Sequence, residues 1–166
     1  SSNLSRLRRC RRLSSGRRGK NRPSASVAAK GNMISENLKK IKSQLPPQVK
    51  LVAVSKFHPA VAIQEAYDAG QRVFGESRPQ ELAEKAKSLP GDIEWHFIGH
   101  LQRNKVKLVL PYASLVESVD SVELLDAIEK WCAGEGRTVE VLIECHIARE
   151  PEKTGFSLDE ALKLLT

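Results

Sequence analysis

The sequence has few of the residues that build disulfide scaffolds, metal centres and membrane spans. Its 166 residues include only three cysteines, and aromatic residues make up 5%. Cys10, Cys132 and Cys145 lie far apart and lack the paired spacing of zinc ligands, which indicates free thiols in a reducing compartment. There is no apolar run long enough to cross a bilayer and no secretory signal segment. We therefore expect a cytoplasmic protein that holds no metal and contacts no membrane.

Acidic residues are absent from positions 1–32, which contain ten of the 27 Lys and Arg residues and many Ser and Gly residues. The remainder therefore has 17 basic against 20 acidic residues, so the net charge of +7 arises from this segment. High charge without apolar periodicity predicts a disordered basic tail at 1–32 and a single domain at 33–166. The domain itself gives no sign of a nucleic-acid surface.

Three interpretations of the basic tail stay open. It is an arm that binds nucleic acid, an organelle transit peptide, or a run of non-native residues upstream of the true start. Met33 is the only methionine of the chain. We favour the third interpretation, and organelle targeting and nucleic-acid binding remain the alternatives.

Strand-like and helix-like segments alternate regularly through the domain. Candidate strands begin at intervals of 21 to 23 residues, near Lys50, Arg72, Ile93, Leu115 and Thr138. A helical pattern follows each one, which predicts β/α units and a parallel sheet. Five units suit an open doubly wound sheet, whereas a closed barrel has eight units and typically about 250 residues. The pattern alone does not decide between these two architectures.

Capping signals predict several helix boundaries. An amphipathic helix is expected over Ile34–Leu45. Asp120 with Glu123, and Ser157 with Glu160, have the spacing of capping boxes. Gly134 is expected to end the helix that follows the fourth strand.

The first strand carries a lysine to its carboxyl end, in the sequence VKLVAVSKFHP from Val49 to Pro59. Because side chains alternate along a strand, Val52, Val54 and Lys56 share one face. Lys56 is either a solvated residue at the strand end or a Schiff-base lysine. In the second case, shelter by the two valines would lower the pKa of the amine and let it attack an aldehyde.

Three sequence blocks, VAVSKFHP, FGESRPQEL and EWHFIGHLQRNK, occur in that order. Together they resemble the YggS/PROSC family of pyridoxal phosphate homeostasis proteins, and the similarity runs from about Met33 to Thr166. The resemblance implies that Lys56 holds pyridoxal 5′-phosphate as an internal aldimine. It also implies an α/β fold, a parallel (β/α) barrel of alanine-racemase type, truncated here after about five β/α units. Such a fragment should leave exposed strand edges.

The resemblance places three further candidate cofactor-binding residues, Ser77, His96 and Gly99, near the ends of the second and third strands. Ser77 stands where the family has Asn, so it offers one hydroxyl in place of an amide. His96 is either a packed core histidine or a pocket residue, and we assign it no proton-transfer role.

No acid–base pair, metal cluster, P-loop or Ser-His-Asp set stands out in the sequence, so we name no catalytic residue and no metal ligand. A racemase built on pyridoxal phosphate needs a proton donor opposite the lysine. We therefore expect a monomeric cofactor carrier in intracellular vitamin B6 homeostasis, whose partners are pyridoxal phosphate and cofactor-requiring apoenzymes. The alternative is a pyridoxal-phosphate-dependent amino-acid racemase.

Overall fold

The structure is a computed structural model that describes residues 25–146 and 154–164, with side chains from residue 33 onward. Five strands alternate with six α-helices in this part of the chain. In chain order the elements are α1 Ala25–Gln44, β1 Ala53–Val54, α2 Ala60–Asp68, β2 Val73–Glu76, α3 Pro79–Ser88, β3 Glu94–Phe97, a 3₁₀ turn Arg103–Lys105, α4 Val106–Val109, β4 Ala113–Val119, α5 Val122–Glu135, β5 Glu140–Ile143 and α6 Leu158–Leu164.

The five strands form one parallel sheet in the order β1-β2-β3-β4-β5. Neighbours in the sheet are neighbours in the chain, whereas a doubly wound sheet reverses its strand order at a switch point. The winding is therefore that of a (β/α) barrel, and the predicted α/β class with parallel strands is confirmed. The register aligns Val54 with Gly75 and Gly75 with His96, so the ends of β1, β2 and β3 lie side by side.

The core lies on one side of the sheet, between the strands and the helices. Phe74 and Trp95 of neighbouring strands are buried there, with ring centroids 5.9 Å apart. Helical side chains such as Leu82 and Leu124 belong to the same buried cluster. Burial of these apolar side chains is the main stabilising contribution to the described part of the chain.

The opposite side of the sheet, which we call the open face, includes Val52, Val54, Gly75, Ile98 and Leu142. A Cβ built on Gly75 would lie 3.3 Å from Val52 Cγ1 and 3.2 Å from Ile98 Cδ1, so these side chains share a face. Val54 is 53% exposed and Leu142 52% exposed. Within the described residues, β1 and β5 are the terminal strands of the sheet, as expected of exposed edges.

Two predicted helix boundaries are wrong. Helix α1 begins at Ala25, inside the segment predicted to be a disordered tail, because an alanine-containing stretch extends the helix in front of Ile34. Helix α5 continues through Gly134 and ends at Gly136, which adopts the left-handed conformation with φ 61°. Residues 1–24 of the predicted tail lie outside the described residues.

One of the two predicted capping boxes is present. The backbone N–H of Ser157 donates to Glu160 Oε2 at 2.9 Å, and the N–H of Glu160 donates to Ser157 Oγ at 3.3 Å. The box predicted for Asp120 and Glu123 is wrong, because the N-cap residue of α5 is Ser121 and it makes no side-chain capping bond.

Replacing Leu82 by alanine should destabilise the protein by about 2–5 kcal/mol, because this α3 side chain is fully buried and alanine leaves a cavity. Leu162→Ala is the matched control, since Leu162 on α6 is 53% exposed and should change the free energy of unfolding by about 0.5 kcal/mol or less. Urea denaturation measures both values. Equal losses in the two variants would contradict the position of the core.

Candidate functional site

Lys56 lies in a turn between β1 and α2. The strand ends at Val54, Ser55 is buried, and the chain turns through Lys56 and Phe57 before α2 starts behind its N-cap residue, Pro59. The Lys56 side chain is exposed, and it makes no hydrogen bond or ion pair within the described residues. Its amine is thus available at the carboxyl edge of the sheet, where ligands bind in parallel α/β folds.

The predicted apolar shelter around this amine is wrong for the described residues. Val52 and Val54 share the open face, whereas Lys56 follows the strand in the turn. On that face Val54 is itself 53% exposed, and Val52 is only partly buried. Two valines in a sheet surface that no described helix covers cannot desolvate the amine.

The structure brings Ser77 and Gly99 into backbone contact. A Cβ on Gly99 would overlap the carbonyl oxygen of Ser77 and lie 2.8 Å from its Cα, so only glycine fits at this position. The backbone N–H of Ile98 donates to Glu76 O at 2.8 Å, and the Ser118 hydroxyl donates to Gly99 O. The Ile98 bond thus joins the end of β2 to the segment after β3, and the Ser118 bond joins that segment to β4.

His96 is buried in β3 and is 6% exposed. Its Nδ1 lies 2.7 Å from Oε1 of Glu117 on β4, and we assign the proton to this nitrogen because an ionised carboxylate only accepts. His96 alternates with Phe97 and shares the open face with Ile98. It is therefore a buried, hydrogen-bonded histidine on the open face, and its role as a pocket residue stays a prediction.

Sequence reasoning missed this imidazole–carboxylate pair. Glu117 lies 21 residues beyond His96, so no local spacing connects the two residues. The available signal was the strand alternation, which places both side chains on one face once the register of β3 and β4 is known.

A second set of charged residues lies behind the turn, on the helix side of the sheet. Glu76 at the end of β2 is fully buried, and its Oε1 accepts hydrogen bonds from Ser55 Oγ at 2.6 Å and from Lys85 Nζ at 2.7 Å. Lys85 on α3 also donates to the carbonyl oxygen of Ser55 at 3.0 Å. Glu76 Oε2 has no hydrogen-bond partner within the described residues. The end of β1 is thus fastened to both β2 and α3.

Glu81 extends these contacts to the residue after Lys56. Its Oε2 accepts hydrogen bonds from the backbone N–H of Phe57 and from Lys85 Nζ, each at 3.2 Å. The bond from Phe57 is the main cause that holds the pKa of Glu81 below its usual value; Lys85 and Arg78 act in the same direction and burial opposes them. We call Ser55, Glu76, Glu81 and Lys85 the turn network.

The turn network was also missed by sequence reasoning. Its local signal is the four-residue spacing of Glu81 and Lys85, which places the two charges on one helix face. Nothing in that spacing shows that Lys85 points inward to a buried carboxylate on a strand, because the same pattern is typical of solvated helix surfaces.

Neither a metal centre nor a membrane-spanning helix is found in residues 25–146 and 154–164. No group of three or more His, Cys, Asp or Glu residues in these ranges is arranged to hold a metal ion. No helix in them is long and apolar enough to cross a membrane. His100 and Asp120 form a separate pair at the strand ends, with Nδ1 and Oδ2 3.0 Å apart.

The fold and the site define an α/β protein with barrel-type winding and an available lysine amine at the end of its first strand. The sequence profile described as "Alanine racemase, N-terminal domain" matches residues 31–166. The chain is 41% identical over 128 residues to the pyridoxal phosphate homeostasis protein of Mus musculus, covering 71% of this chain and 46% of that protein. It is 42% identical over 118 residues to that of Helicobacter pylori, covering 70% and 53% respectively.

Comparison with solved structures gives matches of the same kind. PipY of Synechococcus elongatus, solved with pyridoxal phosphate bound, matches with a TM-score of 0.70 and 39% identity over 80% of this chain and 62% of that chain. Alanine racemase of E. faecalis matches with a TM-score of 0.66 over 81% of this chain and 37% of that one; at 20% identity it shows the fold alone.

The chain belongs to the alanine racemase N-terminal domain family and, within it, to the pyridoxal phosphate homeostasis proteins that include PipY. The predicted family and the alanine-racemase-type fold are confirmed. The chain spans about half the length of the curated relatives it matches.

Gly99→Ala should destabilise the protein by about 1–3 kcal/mol, because the added methyl overlaps the Ser77 backbone and the two segments must separate. Gly91→Ala is the matched control, since a Cβ at Gly91 meets no atom within 4 Å. Thermal unfolding of the two variants is the measurement. A Gly99→Ala protein as stable as the Gly91→Ala protein would show that the two segments are not in contact.

Proposed function

We propose that the chain is a pyridoxal 5′-phosphate-binding protein that holds the cofactor as an imine on Lys56. The amine attacks the aldehyde carbon, and loss of one water molecule leaves a C=N bond that water can hydrolyse again. The cofactor supplies the reactive aldehyde, and the chain supplies the amine and its position. The observation that carries the proposal is the exposed amine of Lys56, which has no partner within the described residues, at the carboxyl edge of the sheet.

The amine fits this chemistry in three respects. It is accessible, it has no ion-pair partner within the described residues, and it lies at the sheet edge where parallel α/β folds bind ligands. A lysine held in a salt bridge would first have to leave its carboxylate, as Lys85 would have to leave Glu76. Among relatives, PipY was solved with pyridoxal phosphate bound.

Ser77, His96 and Gly99 are the further residues that we propose to contact the cofactor. In the register Val54–Gly75–His96, His96 lies on the open face two strands away from β1, and the side chains of Val52 and Ile98 approach Gly75 between them. Ser77 directly follows β2 and offers a hydroxyl. Gly99 packs on the Ser77 backbone and keeps it in place.

A carrier role follows from what surrounds the amine. The turn network holds the backbone around Lys56 from the helix side, and the open face leaves the amine accessible to an incoming aldehyde. Such a site binds and releases an aldehyde reversibly. We therefore include in the proposal a role in intracellular vitamin B6 homeostasis, with delivery of the cofactor to apoenzymes that require it. Cytoplasmic location and a monomeric state belong to the same proposal and rest on the sequence.

A pyridoxal-phosphate-dependent racemase is the second candidate, and the His96–Glu117 pair is the observation that favours it. The pair is a hydrogen-bonded imidazole and carboxylate on the open face, and a racemase needs a second group that can donate a proton. Exchange of the amino-acid Cα hydrogen for deuterium distinguishes the two functions. Exchange no faster than with free pyridoxal phosphate excludes the racemase.

Borohydride reduction of the protein incubated with pyridoxal phosphate should fix the cofactor on Lys56, because reduction converts the imine to a stable secondary amine. Peptide mass spectrometry locates the adduct. Lys56→Arg keeps the positive charge and should lose the adduct, whereas Lys87→Arg, at an exposed lysine of α3, should keep it on Lys56. A main adduct at another lysine, or an undiminished one in Lys56→Arg, would refute the assignment.

A further inference from the structure

Phe57, the residue after Lys56, has an unfavourable backbone conformation. Its φ is 66°, and within the described residues it is the one non-glycine residue with positive φ. A residue with a Cβ avoids this region, and it stays there only where the surrounding structure holds it. The turn that presents Lys56 must therefore be held by contacts that compensate for this strain.

Glu81 provides the contact to the strained residue. Its Oε2 accepts the backbone N–H of Phe57 at 3.2 Å, and its Oε1 lies 3.3 Å from Arg78 Nη1. The Arg78 guanidinium in turn lies over the Phe57 ring, 4.4 Å from the centroid. The Glu81 carboxylate thus holds the backbone of Phe57 directly, and it holds the ring through Arg78.

The residue before Lys56 is held equally well. Ser55 donates its N–H to Gly75 O at 2.9 Å, and its own carbonyl oxygen accepts from Lys85 Nζ at 3.0 Å and from the N–H of His58 at 3.1 Å. Lys85 also bonds to Glu81, so both flanks of Lys56 are tied to the same pair of α3 residues. The Lys56 side chain itself makes none of these contacts.

From this arrangement we infer that Glu81 is a positioning residue for Lys56: its carboxylate holds Phe57 in the left-handed conformation and so fixes where the lysine leaves the backbone. The inference rests on the proposed imine at Lys56 and adds a residue that contacts neither the amine nor the cofactor. Since a proton on Glu81 would compete with the N–H of Phe57, the lowered pKa of this carboxyl agrees with an ionised acceptor at neutral pH.

The test compares Glu81→Ala with Glu84→Ala, because both residues lie on α3 and Glu84 is exposed and takes part in no contact of the turn network. The rate of imine formation with pyridoxal phosphate is followed by visible absorbance. We expect a loss of about tenfold in Glu81→Ala and no change in Glu84→Ala. Glu81→Gln keeps one oxygen that accepts the Phe57 N–H, so it should recover part of the rate.

A second measurement distinguishes a change in the position of the Lys56 amine from a change in its exposure or in the folding of the protein. Reductive methylation of Lys56 with formaldehyde, quantified by peptide mass spectrometry, needs an accessible amine and no particular geometry. We expect equal methylation in Glu81→Ala and the unsubstituted protein, with unchanged far-UV circular dichroism. Should Glu81→Ala not fold, Glu81→Gln against Glu84→Gln carries the same comparison, with an expected loss of about threefold.

The possible failures are distinguishable. If the unsubstituted protein forms no imine, the proposed function fails, and this inference fails with it. If the unsubstituted protein forms the imine and Glu81→Ala forms it equally fast, only the inference is overturned. Parallel loss of imine formation and methylation would also overturn it, because Glu81 would then maintain the exposure of the amine or the fold rather than its position.

Discussion

The buried carboxylate of Glu76 is the constraint on which the site depends. A fully buried charge is tolerated only with a partner, and here the partner is Lys85, whose side chain is 10% exposed. Removing one member of such a pair typically costs about 3–5 kcal/mol, because the other charge stays buried and unpaired. The pair therefore fixes the distance between the end of β2 and helix α3, and through Ser55 it also fixes the end of β1.

Because of this pair, the two residues that follow β1, Ser55 and Lys56, lie in different environments. On the helix side, Ser55, Glu76 and Lys85 form a dense set of short hydrogen bonds. Lys56, the next residue after Ser55, is exposed and without a partner in the described residues. A single step along the chain therefore separates the two environments. A firmly held backbone beside such an amine is consistent with the imine that we propose at Lys56.

The sequence was sufficient to predict the features that depend on local periodicity. The strand–helix alternation identified the parallel sheet, and the alternation of side chains placed Val52 and Val54 on one face of it. Ser157 and Glu160 form the predicted capping box because both partners lie within one helical turn. These predictions need only the geometry of a single strand or helix.

Features that depend on packing between distant segments were not predictable from the sequence in this way. The shelter expected from Val52 and Val54 is not found in the part of the chain that the structure describes, because alternation shows which side chains share a face and not what covers that face. The pairs Glu76–Lys85 and His96–Glu117 form only once the strand register and the position of α3 are set. Gly134 was predicted to end α5, but the helix ends at Gly136, which has the left-handed backbone typical of a glycine C-cap.

The most direct test of the central claim is a visible absorption titration with pyridoxal phosphate, performed on the unsubstituted protein and on Lys56→Ala. We expect a saturable yellow band, with one equivalent bound, in the unsubstituted protein and only the spectrum of free cofactor in Lys56→Ala. The same band in both proteins, or in neither, would contradict the assignment of the imine to Lys56.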